Sequence, residues 1–514
     1  MIVVKIRPWI VLAWLVGATV AIAPADLAAQ SRQDLMRAIE ANMQDITAVM
    51  TRQKQQGYDV EAARQLMLQE FSPLMQQGRL ADAKQVQERV LAMLRVGQGV
   101  PAPAPTLKPS VASAPMRATV TTDEVQYLVF TPEPRDFETL KTLDRIVAEY
   151  VKRMRGMQQG QRRKWGMSVI LPSWTAPPEA LRAFIRQAFD LAASNDIAFH
   201  FTVESLDWQT RNDLWNYKDR DKPGYDPANI GNVEWSDWDK KGFPYRFRDW
   251  GTPEQMAPVI CYNSPKVLSA VAKILNDGIG PALVAGVKRL ERDGKVHLFA
   301  GVTVGSEPEL PNYEHVDRFN PGMAQLMKRL GVPQARLGYC SLTNLGYSKS
   351  NPPADFAKAL ASVNQAYVEY WAKLLHDAGI SKDKMYTHIA AGAGVVGSPE
   401  VKHTNAPISI AFNKYSRPGW TTYPNGPLKD NFNILFDALA ANGNPHWGGT
   451  EANPRGLGLR GMAMDAYLKR HFDYGATLVV MNVGATSDAL MQRLHDAVWG
   501  QEALEAYRSF LKSR

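Results

Sequence analysis

The sequence predicts an α/β protein whose main body is a closed (β/α)8 TIM barrel, preceded by a small α-helical segment and a Pro/Ala-rich linker. Three observations lead there. Eight short apolar runs alternate with helical patterns from Val125 to the C-terminus, the order that builds a parallel sheet. A stretch dominated by Pro, Ala, Gly and Ser separates this alternation from what precedes it. Two connections, Ser205 to Asn263 and Pro308 to Pro353, are far longer than the few residues that normally join a strand to its helix, and both leave the same rim.

The chain of 514 residues exceeds what one core organises, so at least two units are expected. It begins with a basic segment, Met1 to Arg7, runs apolar from Trp9 to Ile22, and reaches small-residue sites at Ala21-Ile22-Ala23 or Leu27-Ala28-Ala29. That pattern predicts an export signal over 1–29 and a periplasmic or secreted mature protein. An uncleaved anchor is the alternative, against which stands an apolar run shorter than the roughly 20 residues of a span. No later segment is expected to cross a bilayer.

Residues 30–96 are rich in Gln, Ala, Met and Leu, with apolar positions such as Leu35, Ile39, Met43 and Ile46 at three- and four-residue steps. Two to four amphipathic helices follow, offering a face for the barrel or for a second copy of the chain. Residues 97–116, with Pro101-Ala102-Pro103-Ala104-Pro105, form the linker, a semi-rigid polyproline spacer. The barrel occupies 117–514. Its strands are read at Val125 to Phe130, Trp165 to Leu171, Ile197 to Glu204, Val296 to Ser306, Met385 to Ala390, Ile408 to Phe412, His446 to Thr450 and Ala476 to Val483. Helical patterns between them run from Asp136 to Met154, Pro178 to Ala193, Pro265 to Arg292, Asp355 to Ala378, Leu428 to Ala441 and Gly461 to His471.

Net charge is +8, but Lys and Arg are scattered among nearly as many Asp and Glu, so nucleic-acid binding is not predicted. Cys261 and Cys340 suit either one disulfide or two buried thiols. The histidines are isolated, without an H-x-H pair or an H-E-x-x-H element, so no metal is expected. There is no G-x-S-x-G elbow or phosphate-binding loop, and no organic cofactor is expected.

Two glutamates stand out. Glu307 ends the fourth strand and Glu451 the seventh, at the rim where barrels assemble their sites. Cleaving a glycoside requires one carboxyl that holds a proton and one that stays ionised, and such a pair suits that task. By these two strand ends the sequence resembles the clan A glycoside hydrolases, retaining (β/α)8-barrel enzymes. The resemblance covers about Val120 to Arg514 and implies that Glu307 is the proton donor and Glu451 the nucleophile. Where that clan carries Asn before the acid/base glutamate, this chain has Ser306, and Asn344 is the candidate to replace the missing contact to the sugar 2-hydroxyl.

Other strand-end polar residues expected to line the mouth are Glu204, His388, Asn413, Tyr415 and Asn482. His200, Thr202 and Glu204 share one parity on the third strand, so a lumenal Glu204 implies a lumenal histidine. The resemblance gives His388 and Tyr415 the job of positioning the nucleophile. The loop after the third strand contains Trp208, Trp215, Tyr217, Tyr225, Trp235, Trp238, Phe243, Tyr245, Phe247 and Trp250. Flat aromatic faces pack on sugar rings, so this loop is read as a platform for an oligo- or polysaccharide, extended by Trp174, Trp420 and Trp447. The alternative is a loop that uses its aromatics to fold on itself. For the whole chain, the alternative to an enzyme is an exported carbohydrate-binding or envelope-scaffolding protein on a degenerate barrel.

Overall fold

A computed structural model describes residues 79–96, 124–133, 142–248, 253–318, 320–390, 404–424, 431–455, 461–483 and 489–512, with isolated positions between 35 and 74. The export segment and the linker lie outside the described residues. The chain divides into two compact units, Met1–Arg117 and Ala118–Arg514.

In the first unit the helix Leu80–Val96 turns Ala83, Val86, Val90 and Leu94 inward, positions spaced three and four apart that fall on one face. They pack with Ile39, Ile46, Ala63 and Phe71. Gln87 is buried on the same face, and its amide donates to the Ile39 carbonyl at 3.0 Å, which satisfies one of its polar groups.

The second unit is the expected barrel. Its strands are β1 (Gln126–Phe130), β2 (Arg163–Leu171), β3 (Ala198–Val203), β4 (Phe299–Ser306), β5 (Met385–His388), β6 (Gly419–Thr421), β7 (Trp447–Ala452) and β8 (Ala476–Met481). All neighbours are parallel, from β5 through β4, β3, β2, β1, β8 and β7 to β6. The ring closes between β5 and β6 through the parallel bridges Tyr386 to Arg417 and Ile389 to Trp420.

Alternation along the strands sorts side chains between two cores. Phe199, Phe201 and Val203 of β3 join the large apolar layer beneath the helices, beside Phe189 of the helix Pro178–Asn195. Burying one such phenylalanine contributes about 1.5–3 kcal/mol. The opposite parity fills the lumen, where Ala198 packs with Tyr127, Val129, Ala300, Tyr386 and Leu478. His200 bridges the lumen above them, with Nδ1 2.8 Å from Ser168 Oγ and Nε2 2.9 Å from Thr303 Oγ1. Burial drives its pKa down to about 3, so it stays neutral.

One strand differs from expectation. Ile408 to Phe412 is not the sixth strand: Ile408–Ala411 is a 3-10 turn whose Ile408, Ile410 and Ala411 are buried in the outer apolar layer. The sixth strand is Gly419–Thr421, and a Cβ on Gly419 would stand 2.3 Å from the Thr387 carbonyl oxygen, so only glycine lets β6 approach β5 there. A further difference concerns Pro265–Arg292, which is long and apolar enough to cross a bilayer by length and composition alone. Here it is an outer helix with a π turn at Leu275–Ile279, burying Val267, Val271, Leu283 and Leu290 in the large apolar layer.

Candidate active site

The rim formed by the C-terminal ends of β4, β5, β6 and β7 gathers the polar groups of interest. At the end of β4 the pairing with β5 slips between Val304 and Ser306, a bulge that re-aims the chain. Gly305 has φ of 74° and Glu307 φ of 47°. A left-handed conformation is natural for the glycine and strained for the glutamate, and such strain concentrates at working sites. The Glu307 N–H donates to the His388 carbonyl at 3.0 Å, which fixes this turn to the end of β5.

Glu451 lies one residue before the end of β7 and meets Glu307 across His388. The imidazole Nε2 is 3.4 Å from Glu307 Oε1 and 3.5 Å from Glu451 Oε2, and one oxygen of each carboxylate lies within 4.8 Å of the other. His388 is buried, whereas the side chains of Glu307 and Glu451 are 33% and 30% exposed, so the gap between them opens to solvent. Among the described residues neither glutamate forms an ion pair with Lys or Arg.

Hydrogen bonds hold the trio. Thr421 Oγ1 donates to Glu307 Oε1 and lies 3.0 Å from His388 Nε2. The Tyr423 hydroxyl donates to Glu451 Oε1, and Asn482 Nδ2 donates to the same oxygen at 3.0 Å and to Tyr423 at 2.6 Å. His388 Nδ1 is buried with no partner among the described residues. At Glu307, burial would raise the pKa, but His388, Thr421 and the nearby Arg246 outweigh it and hold the carboxyl low. At Glu451, burial and then the charge on Glu307 raise the pKa against His388, Tyr423 and Asn482. Burial opposes charging of His388, yet the flanking carboxylates win and its pKa is raised. Tyr423 is kept in its neutral, donating form by burial and by the charge of Glu451.

The remaining sequence-derived candidates divide. Glu204, past the end of β3, accepts from Leu206 N–H at 2.7 Å and Asp207 N–H at 3.3 Å. Burial raises its pKa, and it acts electrostatically on His388. Ser306 donates its N–H to Ser205 Oγ at 2.9 Å beside Glu307. The Asn344 amide is engaged by Asn263 at 3.1 Å and by Cys261 Sγ at 3.4 Å, tying the two long loops together. The two cysteines are free buried thiols.

Asn413 and Tyr415 are corrections. Because β6 begins at Gly419, both precede the strand and sit at the opposite, N-terminal end of the barrel. Asn413 caps a turn by accepting from the N–H groups of Tyr415 and Ser416 at 2.8 and 2.9 Å, and Tyr415 packs on His376. Trp447 is a correction for the same reason: it opens β7, fully buried, stacked on His471 with its indole donating to Tyr474.

The aromatic platform is also revised. Trp208 is 1% exposed and donates to the Pro258 carbonyl at 2.8 Å. Trp174, Trp235 and Trp420 are equally enclosed, each indole N–H spent on a backbone carbonyl. Phe243 and Phe247 pack on Tyr313 of the second long loop. These rings are the core of the loops, because an insertion this long needs its own apolar interior. Trp250 lies outside the described residues.

Sequence reading missed Thr421, Tyr423 and Arg246. The first two follow once β6 is placed at Gly419–Thr421, since Tyr423 is then two residues past a strand end. Arg246, on a two-residue antiparallel ladder with Gln255 and Met256, reaches the mouth only through loop folding, for which the sequence holds no periodic signal.

Fold and site together define a (β/α)8 barrel with a paired-carboxylate rim centre. No protein-family model matches the sequence, and no curated protein does. Among solved structures, the chain is similar to the catalytic domain of a beta-amylase from Paenibacillus polymyxa, at 10% identity and a TM-score of 0.40 over 76% of this chain and 98% of that one. It is also similar to a GH5-4 broad specificity endoglucanase from an uncultured bacterium, at 10% identity and a TM-score of 0.37 over 75% and 93% of the two chains. An exo-beta-1,4-mannosidase from an Opitutaceae bacterium follows at 9% identity and a TM-score of 0.36, over 76% of this chain and 62% of that one. Likenesses this distant leave the chemistry to be argued from the site.

Proposed function

We propose that this chain is an exported glycoside hydrolase that cleaves a β-linked oligo- or polysaccharide by the retaining, double-displacement route, with Glu307 as acid/base and Glu451 as nucleophile. One observation carries the reading: two solvent-facing carboxylates approach to within 4.8 Å at the catalytic rim of a barrel. Retaining enzymes hold their carboxyls about 5–5.5 Å apart, whereas inverting enzymes leave about 6.5–9.5 Å for a water. The basic, apolar N-terminus supports export.

The resting charges run opposite to the assigned roles, since Glu307 is held low and Glu451 raised. His388 reconciles them. A proton leaving His388 Nε2 through the Thr421 hydroxyl to Glu307 Oε1 leaves a neutral imidazole and a protonated acid. With the charge on Glu307 gone, the repulsion that adds to the effect of burial at Glu451 disappears, and Tyr423 and Asn482 donate to Glu451 as the anion. Glu307 then gives its proton to the leaving oxygen while Glu451 attacks the anomeric carbon. In the second half, Glu307 takes a proton from water as that water displaces Glu451.

The test is hydrolysis of a panel of aryl β-glycosides and β-linked polysaccharides, with proton NMR of the first-formed anomer. Glu307→Gln and Glu451→Gln, which keep shape and remove ionisation, are expected to lower turnover about a hundred- to ten-thousand-fold. If the purified protein binds a glycan yet cleaves none, and neither change alters glycan turnover, the non-catalytic binding reading replaces this one.

A further inference from the structure

We infer that Glu307, His388 and Glu451 also form a binding site for an exchangeable divalent d-block cation, Zn2+ or Cu2+, whose occupancy switches hydrolysis off. The switching half rests on the glycosidase reading above, and the binding half stands without it.

The argument begins with distances. A tetrahedral zinc bound by imidazole nitrogen and carboxylate oxygen at about 2.0–2.2 Å places its ligand atoms about 3.3–3.6 Å apart. His388 Nε2 stands 3.4 Å from Glu307 Oε1 and 3.5 Å from Glu451 Oε2. The third edge, oxygen to oxygen, is within 4.8 Å, so the ion would draw the two carboxylates together. The His388 side chain is only 5% exposed, and its Nε2 faces both acids while lying 3.0 Å from Thr421 Oγ1, a contact the ion would displace.

Donor chemistry selects the ion. One imidazole with two carboxylates suits zinc and copper, while calcium and magnesium prefer sets made wholly of oxygen. The second shell decides between a resident and a borrowed metal. A histidine built to hold a resident ion ties its other ring nitrogen to a carbonyl or carboxylate, and that support is worth about ten- to a hundred-fold in affinity. At His388 Nδ1 the described residues place no such partner, and the two glutamate side chains are partly exposed, 33% and 30%, which leaves the ion open to exchange with solvent.

Occupancy and catalysis exclude each other. The cation takes the place of the proton on His388 and engages an oxygen of each glutamate, leaving neither a proton donor nor a free nucleophile.

The experiment uses the full chain, stripped with chelator, desalted and titrated with Zn2+ by calorimetry. One exchangeable Zn2+ per chain is expected, weakened at least about tenfold in His388→Gln and in Glu451→Gln. Cu2+ added to the unaltered chain gives an electron paramagnetic resonance signal coupled to one imidazole nitrogen, a readout that needs no variant to fold. Unchanged Zn2+ affinity in both variants, or a Cu2+ spectrum without that single-nitrogen coupling, overturns the site. Where hydrolysis is measurable, it should fall in parallel with Zn2+ occupancy, and full hydrolysis at full occupancy overturns the switch. Absent metal binding with intact hydrolysis removes this inference alone. Metal binding together with no glycan cleavage by the metal-stripped chain removes the glycosidase reading alone.

Discussion

The Glu307 N–H donates to the His388 carbonyl across 3.0 Å while their side chains approach to 3.4 Å, so the strained turn at the end of β4 is tied to the last residue of β5 by both backbone and side chain. This coupling fixes where the proton of the site resides. It also makes the pH response of the protein specific enough to test.

His388 has a raised pKa in the fold, because burial is outweighed by Glu307 and Glu451. A raised folded value means the imidazolium contributes stability that is fully present below its unfolded pKa of about 6.5 and is lost as pH rises through the folded value. The urea midpoint of the unaltered protein is therefore expected to fall from mildly acidic to mildly alkaline pH, and His388→Gln should flatten that slope. In activity, the alkaline limb marks loss of the proton that Glu307 and His388 hold between them. His388→Gln leaves only a carboxyl to hold it, so the limb should move toward lower pH. A limb that stays in place would show that His388 is structural.

Roles of the two acids separate by azide rescue. With Glu451→Gly, no covalent intermediate forms, and azide entering the vacated face of a β-glycoside should give the α-glycosyl azide. With Glu307→Gly and a substrate bearing an activated leaving group, the intermediate still forms through Glu451, and azide should give the β-glycosyl azide. The opposite product pattern would reverse the assignment and agree with the resting charges of the free protein.

Tyr423 and Asn482 both donate to Glu451 Oε1. Removing the hydroxyl in Tyr423→Phe leaves the ring's packing and deletes one bond to an anion, an interaction worth about 1.5–3 kcal/mol. Turnover should drop about ten- to a hundred-fold with little change in thermal midpoint. A comparable loss of stability with unchanged turnover would place Tyr423 outside the chemistry.

How much of this was legible in the sequence depended on whether a residue followed a periodic element. Seven of the eight strands carried enough buried, β-branched or aromatic residues to be read, and Glu307, Glu451, His388 and Asn482 followed as strand ends. The sixth strand has three residues, Gly419, Trp420 and Thr421, too few for a period to show. The stronger apolar run at Ile408 drew the reading instead, and with it came the misplacement of Asn413 and Tyr415. Trp208 misled for another reason. An aromatic in a long insertion has the same sequence signature whether it faces a ligand or forms the insertion's own core, and only the burial of Trp208 and the hydrogen bond of its indole to Pro258 decide.

The short sixth strand also provides a test of barrel closure. It meets β5 through Thr421 N–H to the Ile389 carbonyl at 2.9 Å and Ile389 N–H to the Gly419 carbonyl at 3.2 Å. A Cβ on Gly419 would lie 2.3 Å from the Thr387 carbonyl oxygen, a backbone atom that cannot rotate aside, and 2.7 Å from Thr450 Cγ2. Gly419→Ala must push β6 away from β5, which carries Thr421 off Glu307 and His388. The expected cost is about 3 kcal/mol, at the upper end of core overpacking, seen as a lower urea midpoint. Activity should fall by more than the unfolded fraction explains, because the hydroxyl relay opens even where the chain stays folded. Gly443→Ala, at a turn where an added Cβ meets nothing within 4 Å but φ is 79°, supplies the comparison: strain without a clash, and a loss of stability with the relay intact. If the two changes lowered activity equally at matched stability, the closure at Gly419 would not be what holds Thr421 in place.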